Sequence, residues 1–405
     1  MSARTLVLAG YGMAGHRLLT TLLALDHARA WRIVVLAEEP RPAYDRVALT
    51  SCLTGRRADD LALPAPGQPD RVELRLSTRV TAVQRAARTV TTADGERIAY
   101  DALVLATGSR PFVPPVPGHD LPGCFTYRTP EDLDALRAAA VPGRPGVVVG
   151  GGLLGLEAAG GLLALGMRPH VVELAPRLMP LQTDDGAGAV VGERVSALSV
   201  RAHCGRGVRA VTGPGGRRAR TVVLDDGTEL PAELVVFAAG VRPRDELAAP
   251  AALAVGPRGG FLVDGHCRTA DPAVWAIGEC AAVRGRCHAL ADPGRRMAEA
   301  VAARLVGGDA DAFPAAPDLS TRLKLLGVEL ASFGDLHATT DGAVTLARTD
   351  HPRRTHTRLV LAADARTLLG GVLAGDVRAF PVLRNLMGRQ LPLSPERLLA
   401  GAGGS

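Results

Sequence analysis

Two stretches of this 405-residue chain set a buried apolar run, glycines at fixed spacing and a later carboxylate in the same order. The first is residues 5–15, TLVLAGYGMAG, where 6–9 reads as a buried strand and Gly10, Gly12 and Gly15 follow it. A helix carrying Leu18, Leu19, Leu22 and Leu23 comes next. The first glycine suits a tight turn, the second lets backbone approach a pyrophosphate, and the third lets helix and strand pack closely. The helix N-terminus, with Met13 and Ala14 in its first turn, offers N–H groups and the positive end of its dipole to an anion. A second strand over 33–37 then delivers Glu38 to a place where it can accept a hydrogen bond from a ribose hydroxyl. Glu39 is the alternative, because strand ends are uncertain by a residue or two.

The pattern repeats in residues 146–157, GVVVGGGLLGLE, with a strand at 147–149 and then Gly150, Gly152 and Gly155. Leu153, Leu154 and Glu157 lie on the following helix, Gly166 ends it, and a strand around 170–172 reaches Glu173. The loops stand 140 residues apart, too far to be halves of one sheet. Two dinucleotide domains are therefore expected, and a protein with two passes electrons between them, from a nicotinamide to a flavin. Glu173 favours NADH, since a carboxylate accepts from a free 2′-hydroxyl and repels a 2′-phosphate. Arg177 nearby keeps NADPH open.

The elements between the loops read as crossovers. Residues 100–117, YDALVLATGSRPFVPPVP, form a buried strand ending in Ala106, Thr107, Gly108 and Ser109 before a proline-rich linker. Residues 233–243, ELVVFAAGVRP, are a near copy that carries Gly240. Farther on, residues 260–281 end in a short strand followed by Gly278 and Glu279, a carboxylate placed to take a hydrogen bond from a sugar-like hydroxyl chain.

Composition narrows the classes. Aromatics are 3% of the chain, too few for stacking single-stranded nucleic acid. The net charge of +6 comes from scattered arginines, which suits anionic cofactors or an acidic protein partner better than nucleic acid. No run approaches the roughly 18 apolar residues of a membrane span, and no signal peptide precedes the first strand, so a cytoplasmic protein is expected. The six cysteines show no C-x-x-C spacing, which argues against a metal or iron–sulfur site.

Taken together these motifs resemble the pyridine nucleotide-disulfide oxidoreductase superfamily. Residues 38–53, EEPRPAYDRVALTSCL, with 277–281, 320–327 and 375–393, look most like the N-terminal module of assimilatory NAD(P)H nitrite reductase large subunits. The likeness to ferredoxin and rubredoxin reductases is more distant. The resemblance implies an α/β fold of two three-layer, Rossmann-like domains: FAD at 1–112 and 241–314, NAD inserted at 113–240, and a small α/β domain at 315–405. It implies FAD contacts at Gly10, Gly12, Met13, Ala14, Gly15, Glu38, Glu39, Arg46, Val80, Ala106, Thr107, Gly108, Gly278 and Glu279. For the nicotinamide nucleotide it implies Gly150, Gly152, Leu153, Leu154, Gly155, Glu157, Glu173 and Gly240.

There are departures. The superfamily usually has Asp where Glu279 stands, and ferredoxin reductases commonly have lysine where Ser51 stands. Nitrite reductase large subunits continue into a four-cysteine iron–sulfur domain and a sirohaem domain, and this sequence carries neither. The expectation is an electron-input piece made as a separate polypeptide, monomer or homodimer, that serves a ferredoxin-like protein or a nitrite or nitrate reductase subunit. Cys52 and Lys324, the sole lysine, are the candidate catalytic side chains. If Cys52 is redox-active, the chain is instead an NADH oxidase, peroxidase or disulfide reductase; a flavin-dependent tailoring enzyme is the third reading.

Overall fold

The computed structural model describes residues 3–314, 318–325, 327–392 and 394. It divides into two compact units. The first gathers the described residues of Met1–Leu49, Arg56–Arg110 and Val241–Pro317; the second gathers those of Thr50–Gly55, Pro111–Gly240 and Asp318–Ser405.

The first unit is built on a parallel five-stranded sheet in the order Val274–Ala276, Ala102–Leu105, Arg4–Ala9, Trp31–Leu36, Val72–Arg75. Its central strands are apolar without alternation because both faces are covered, and Leu6, Val7, Leu8, Ile33, Leu103 and Val104 are all buried. Helix Met13–Leu25 crosses from the third strand to the fourth, burying Leu18, Leu19, Leu22 and Leu23, and packs against helix Ala291–Leu305. The turn between that first helix and the next strand is held by a buried ion pair. Asp26 accepts from the N–H groups of Ala30 (2.9 Å) and Trp31 (3.1 Å) and from Arg71. Strand by strand, sequence and structure differ by a residue or two: the run expected at 33–37 is Trp31–Leu36.

The second unit repeats the plan with the order Arg201–Cys204, Arg168–Glu173, Pro145–Val149, Leu234–Phe237, Cys124–Thr126, again all parallel. Helix Leu153–Ala164 crosses from Pro145–Val149 to Arg168–Glu173. Gly166, at φ +76°, turns the chain out of that helix. The C-terminal residues add an antiparallel sheet, Thr321–Leu325, Val328–Gly334, Leu368–Ala374, Thr355–Leu361, Val344–Asp350, and a short helix, Phe380–Asn385, whose Phe380 and Leu383 pack in its core. This part joins the same compact unit as the second glycine loop. His356 Nε2 donates to Asp184 Oδ2 (3.1 Å), and Asp184 also caps helix Asp185–Ala197 by accepting from Ala187 N–H (2.9 Å). Among the described residues no helix is long and apolar enough to cross a membrane.

Candidate functional site

Both glycine loops lie at the carboxyl ends of parallel strands, where open α/β sheets bind ligands. In the first unit four neighbouring strand ends supply Ala106–Gly108, Gly10, Glu38 and Gly278–Glu279. Gly10 N–H donates to Leu36 O (2.8 Å) and Ala106 N–H to Ala9 O (2.8 Å), which fixes the loop against both neighbours. The second loop is stitched alike: Gly150 N–H donates to Val172 O (2.8 Å) and Ala238 N–H to Val149 O (2.8 Å).

The glycines divide by what a side chain would meet. At Gly10, φ is +107° and a Cβ would stand 2.2 Å from Ala106 O; at Gly15 it would stand 2.5 Å from Gly10 O. Those two are required by the protein itself. At Gly12 a Cβ would meet nothing within 4 Å, and its φ of −82° is open to any residue. The second loop gives the same division, with Gly150 and Gly155 crowded and Gly152 facing open space. Both helices starting at these loops lack a side-chain cap, whereas helix Pro130–Ala139 is capped by Thr129 and Asp185–Ala197 by Asp184. A helix start leaves its first N–H groups without intrahelical partners. Open space beside uncapped N–H groups fits the pyrophosphate of a dinucleotide, and both glycine loops offer it.

In the first unit, Gly278 (φ +75°) lets its turn lie against Ala14, and Gly294 of helix Ala291–Leu305 packs on Gly278 Cα, so the starts of both helices converge there. Glu279 accepts from Ser109 Oγ (2.8 Å), which steadies the longer acid where the superfamily usually has Asp. Of the two candidate ribose acids, Glu39 accepts from Tyr44 Oη (3.0 Å) and Arg46 Nη2 (2.6 Å), and Arg46 also lies over the Tyr44 ring. Glu38 is paired instead with Arg244 (2.5 Å), a residue the sequence did not single out. Val80 begins the antiparallel strand Val80–Gln84 of the same unit.

In the second unit, Glu173 accepts from the N–H groups of Gly151 (2.6 Å) and Ala175 (2.7 Å), which fixes its carboxylate at the strand end. Gly151 is itself constrained, since a Cβ there would stand 2.8 Å from Glu173 Cβ. Arg177 is engaged elsewhere: Nη1 donates to Asp185 Oδ1 (2.8 Å) and Nε to Thr183 O (3.2 Å). Gly240, at φ +102°, turns the chain after Leu234–Phe237. Leu153, Leu154 and Glu157 occupy the first turns of the loop helix.

Glu157, on the loop helix, is half-buried among these elements. Burial pushes its carboxyl above the ordinary range, and a hydrogen bond from Thr50 Oγ1 (3.2 Å) opposes this only in part. Tyr127 Oη donates in turn to Thr50 Oγ1 (3.0 Å), so the segment 50–55 is anchored in this unit by a polar chain. Leu53 packs on Gly161 of the loop helix, and Arg137 Nη2 donates to Cys52 O. Cys52 is consequently buried, 4% exposed, and none of the six cysteines forms a disulfide. Lys324 belongs to strand Thr321–Leu325, opposite Glu329, but its side chain lies outside the described residues. His288 packs against the Phe313 ring, and burial lowers its pKa.

Residues 4–307 match the pyridine nucleotide-disulphide oxidoreductase family, and residues 320–391 match the C-terminal domain of rubredoxin NAD+ reductase. The nitrite reductase [NAD(P)H] large subunit of Klebsiella oxytoca is 46% identical over 99% of this chain, but the match spans only 42% of that protein. The ferredoxin–NAD(+) reductase component of the biphenyl dioxygenase system of Paraburkholderia xenovorans is 34% identical, over 69% of this chain and 67% of its own length. Among solved structures, a ferredoxin reductase from Rhodopseudomonas palustris superposes with a TM-score of 0.84 at 29% identity, covering 97% of this chain and 96% of that one. With its paired dinucleotide cradles, the chain belongs to the pyridine nucleotide-disulphide oxidoreductase family and is an FAD-dependent oxidoreductase of NAD(P)H.

Proposed function

We propose that the first unit holds FAD and the second holds NADH, and that the electrons leave to a separate iron–sulfur protein. In domain terms, residues 1–112 and 241–314 are the FAD domain, 113–240 the NAD domain and 315–405 the C-terminal domain. A bound flavin supplies the chemistry, taking a hydride, and thus two electrons, from NADH and yielding them one at a time to two one-electron acceptors. The protein's share is position and electrostatics. Gly12 and Gly152 admit the two pyrophosphates to helix N-termini. Glu38 and Glu173 accept from the riboses, and Glu279, held by Ser109, accepts from the flavin's hydroxyl chain.

The preference for NADH is carried by Glu173. Its carboxylate is braced by two backbone N–H groups, and Arg177, the arginine that the sequence places nearby, donates instead to Asp185 and Thr183. A 2′-phosphate would meet a fixed negative group there.

The external acceptor is favoured by the setting of Cys52, whose segment is pinned by Arg137, Leu53 and the Thr50–Tyr127 chain and whose residue is 4% exposed. Likeness to reductases that serve ferredoxins supports the same reading. A full nitrite reductase activity is not proposed, since the match covers less than half of the nitrite reductase subunit. The chain would serve as the input module of such a system.

Steady-state turnover with NADH and a panel of acceptors tests this. Ferricyanide and a [2Fe–2S] ferredoxin should turn over fast, air slowly and disulfides hardly at all, with Cys52→Ser indistinguishable from wild type on ferricyanide. The ferredoxin rate should fall as salt rises, because the +6 chain attracts an acidic partner over a Debye length of only about 8 Å at physiological ionic strength. Rapid peroxide or disulfide turnover that vanishes in Cys52→Ser would overturn the proposal.

A further inference from the structure

Arg244 lies where the chain returns to the first unit, directly after strand Val241–Pro243. Its backbone is tied to the end of the Ala102–Leu105 strand: Thr107 Oγ1 donates to Arg244 O (2.5 Å), and Arg244 N–H donates to Gly108 O (2.9 Å). Its side chain reaches the end of a different strand, where Nη2 binds Glu38 Oε2 (2.5 Å). One residue thus joins two of the four strand ends that form the first cradle. The neighbouring acid, Glu39, is taken up by Tyr44 and Arg46. Arg244 uses only one oxygen of Glu38, and Oε1 carries no protein hydrogen bond among the described residues. Neither partner is sealed off, with 29% of the Arg244 side chain and 42% of that of Glu38 exposed.

We infer that Arg244 is a positioning residue for FAD: it fixes the Glu38 carboxylate so that Oε1 is presented to the adenosine ribose. The inference rests on the reading of the first unit as the flavin unit. A free glutamate at a strand end samples several rotamers, and holding one of them removes an ordering cost that would otherwise be met on binding. Because the Arg244 backbone is bonded to Thr107 and Gly108, the same contact links occupancy of the ribose site to the returning chain at 241–243. Arginine suits this task better than lysine, since its planar fork keeps one fixed geometry against a carboxylate.

The test uses full-length apoprotein titrated with FAD, read by quenching of flavin fluorescence. Arg244→Ala should raise the FAD Kd about tenfold, the loss expected when the ion pair that orders the Glu38 carboxylate is removed. Arg244→Lys should recover part of that. In a Glu38→Ala background, Arg244→Ala should add nothing, because both changes remove the same interaction. The Kd for NADH, measured on flavin-loaded protein, should stay unchanged. Thermal melts of each apoprotein separate weak binding from misfolding, and Arg244→Lys keeps the test open should the alanine variant not fold. Equal FAD affinity in wild type and Arg244→Ala, or an additive loss in the double variant, would overturn the inference. A wild-type apoprotein that binds no FAD would overturn the reading beneath it, a result visible before any variant is made.

Discussion

Three glycines of one loop should fail for two different reasons. At Gly12 an alanine Cβ meets nothing within 4 Å and the backbone conformation is ordinary, so Gly12→Ala should leave apoprotein stability within about 0.5 kcal/mol of wild type. The space it enters is where a pyrophosphate must approach the helix N-terminus. The FAD Kd should therefore rise by about 10- to 100-fold, or roughly 1.4–2.8 kcal/mol. Gly10→Ala is the reverse case: a residue at φ +107° carries strain of about 1–3 kcal/mol, and its Cβ would overlap Ala106 O at 2.2 Å. Gly15→Ala meets Gly10 O at 2.5 Å without that backbone strain and should cost about 1–3 kcal/mol through overpacking. Urea melts of the three apoproteins, set beside FAD titrations, give the two quantities separately. An apoprotein destabilised by Gly12→Ala as much as by Gly10→Ala, or Gly12→Ala binding FAD as tightly as wild type, would refute the division.

The other loop should respond independently: Gly152→Ala should keep its yellow colour and raise the KM for NADH, as steady-state assays with ferricyanide would reveal. Glu173→Ala should narrow the preference for NADH over NADPH in kcat/KM, and equal wild-type efficiencies would show that the carboxylate does not select. A third expectation concerns pH. His170 stacks on His203 with ring centroids 5.3 Å apart, and burial, then the neighbouring imidazole, lower its pKa from 6.5 to about 4. Between those values the unfolded chain binds the proton and the folded one does not, so stability rises with pH through that window and is lost on acidification. On the order of 2–3 kcal/mol should disappear from pH 6.5 to 4, and His170→Leu should flatten that slope in thermal melts.

What was legible in the sequence was local. Turn glycines, strand-end acids and the apolar runs before them are read from neighbours a few residues away, and both cradles have this character. What was not legible depends on distant partners. Arg244 meets Thr107 across 137 residues and Ser109 meets Glu279 across 170, and no periodicity announces either. Arg46 reads as a cofactor contact from its motif, yet its guanidinium is bound to Glu39 in this structure. The segment 50–55 follows a first-unit stretch in sequence but belongs to the second unit, because Leu53 finds the bare backbone of Gly161 and Thr50 finds Glu157. Asp26 and Arg71 form a buried ion pair across 45 residues, which no local pattern announces.

The central claim is a one-way relay from NADH through the flavin to an external one-electron acceptor. Anaerobic double-mixing stopped-flow tests it most directly, following the flavin's yellow absorbance. The first mix, with NADH, should bleach the colour in a single fast phase, and a second mix with a [2Fe–2S] ferredoxin should restore it far faster than a second mix with aerated buffer. Colour that returns as quickly in air as with the ferredoxin, or that NADH fails to bleach, would contradict the account.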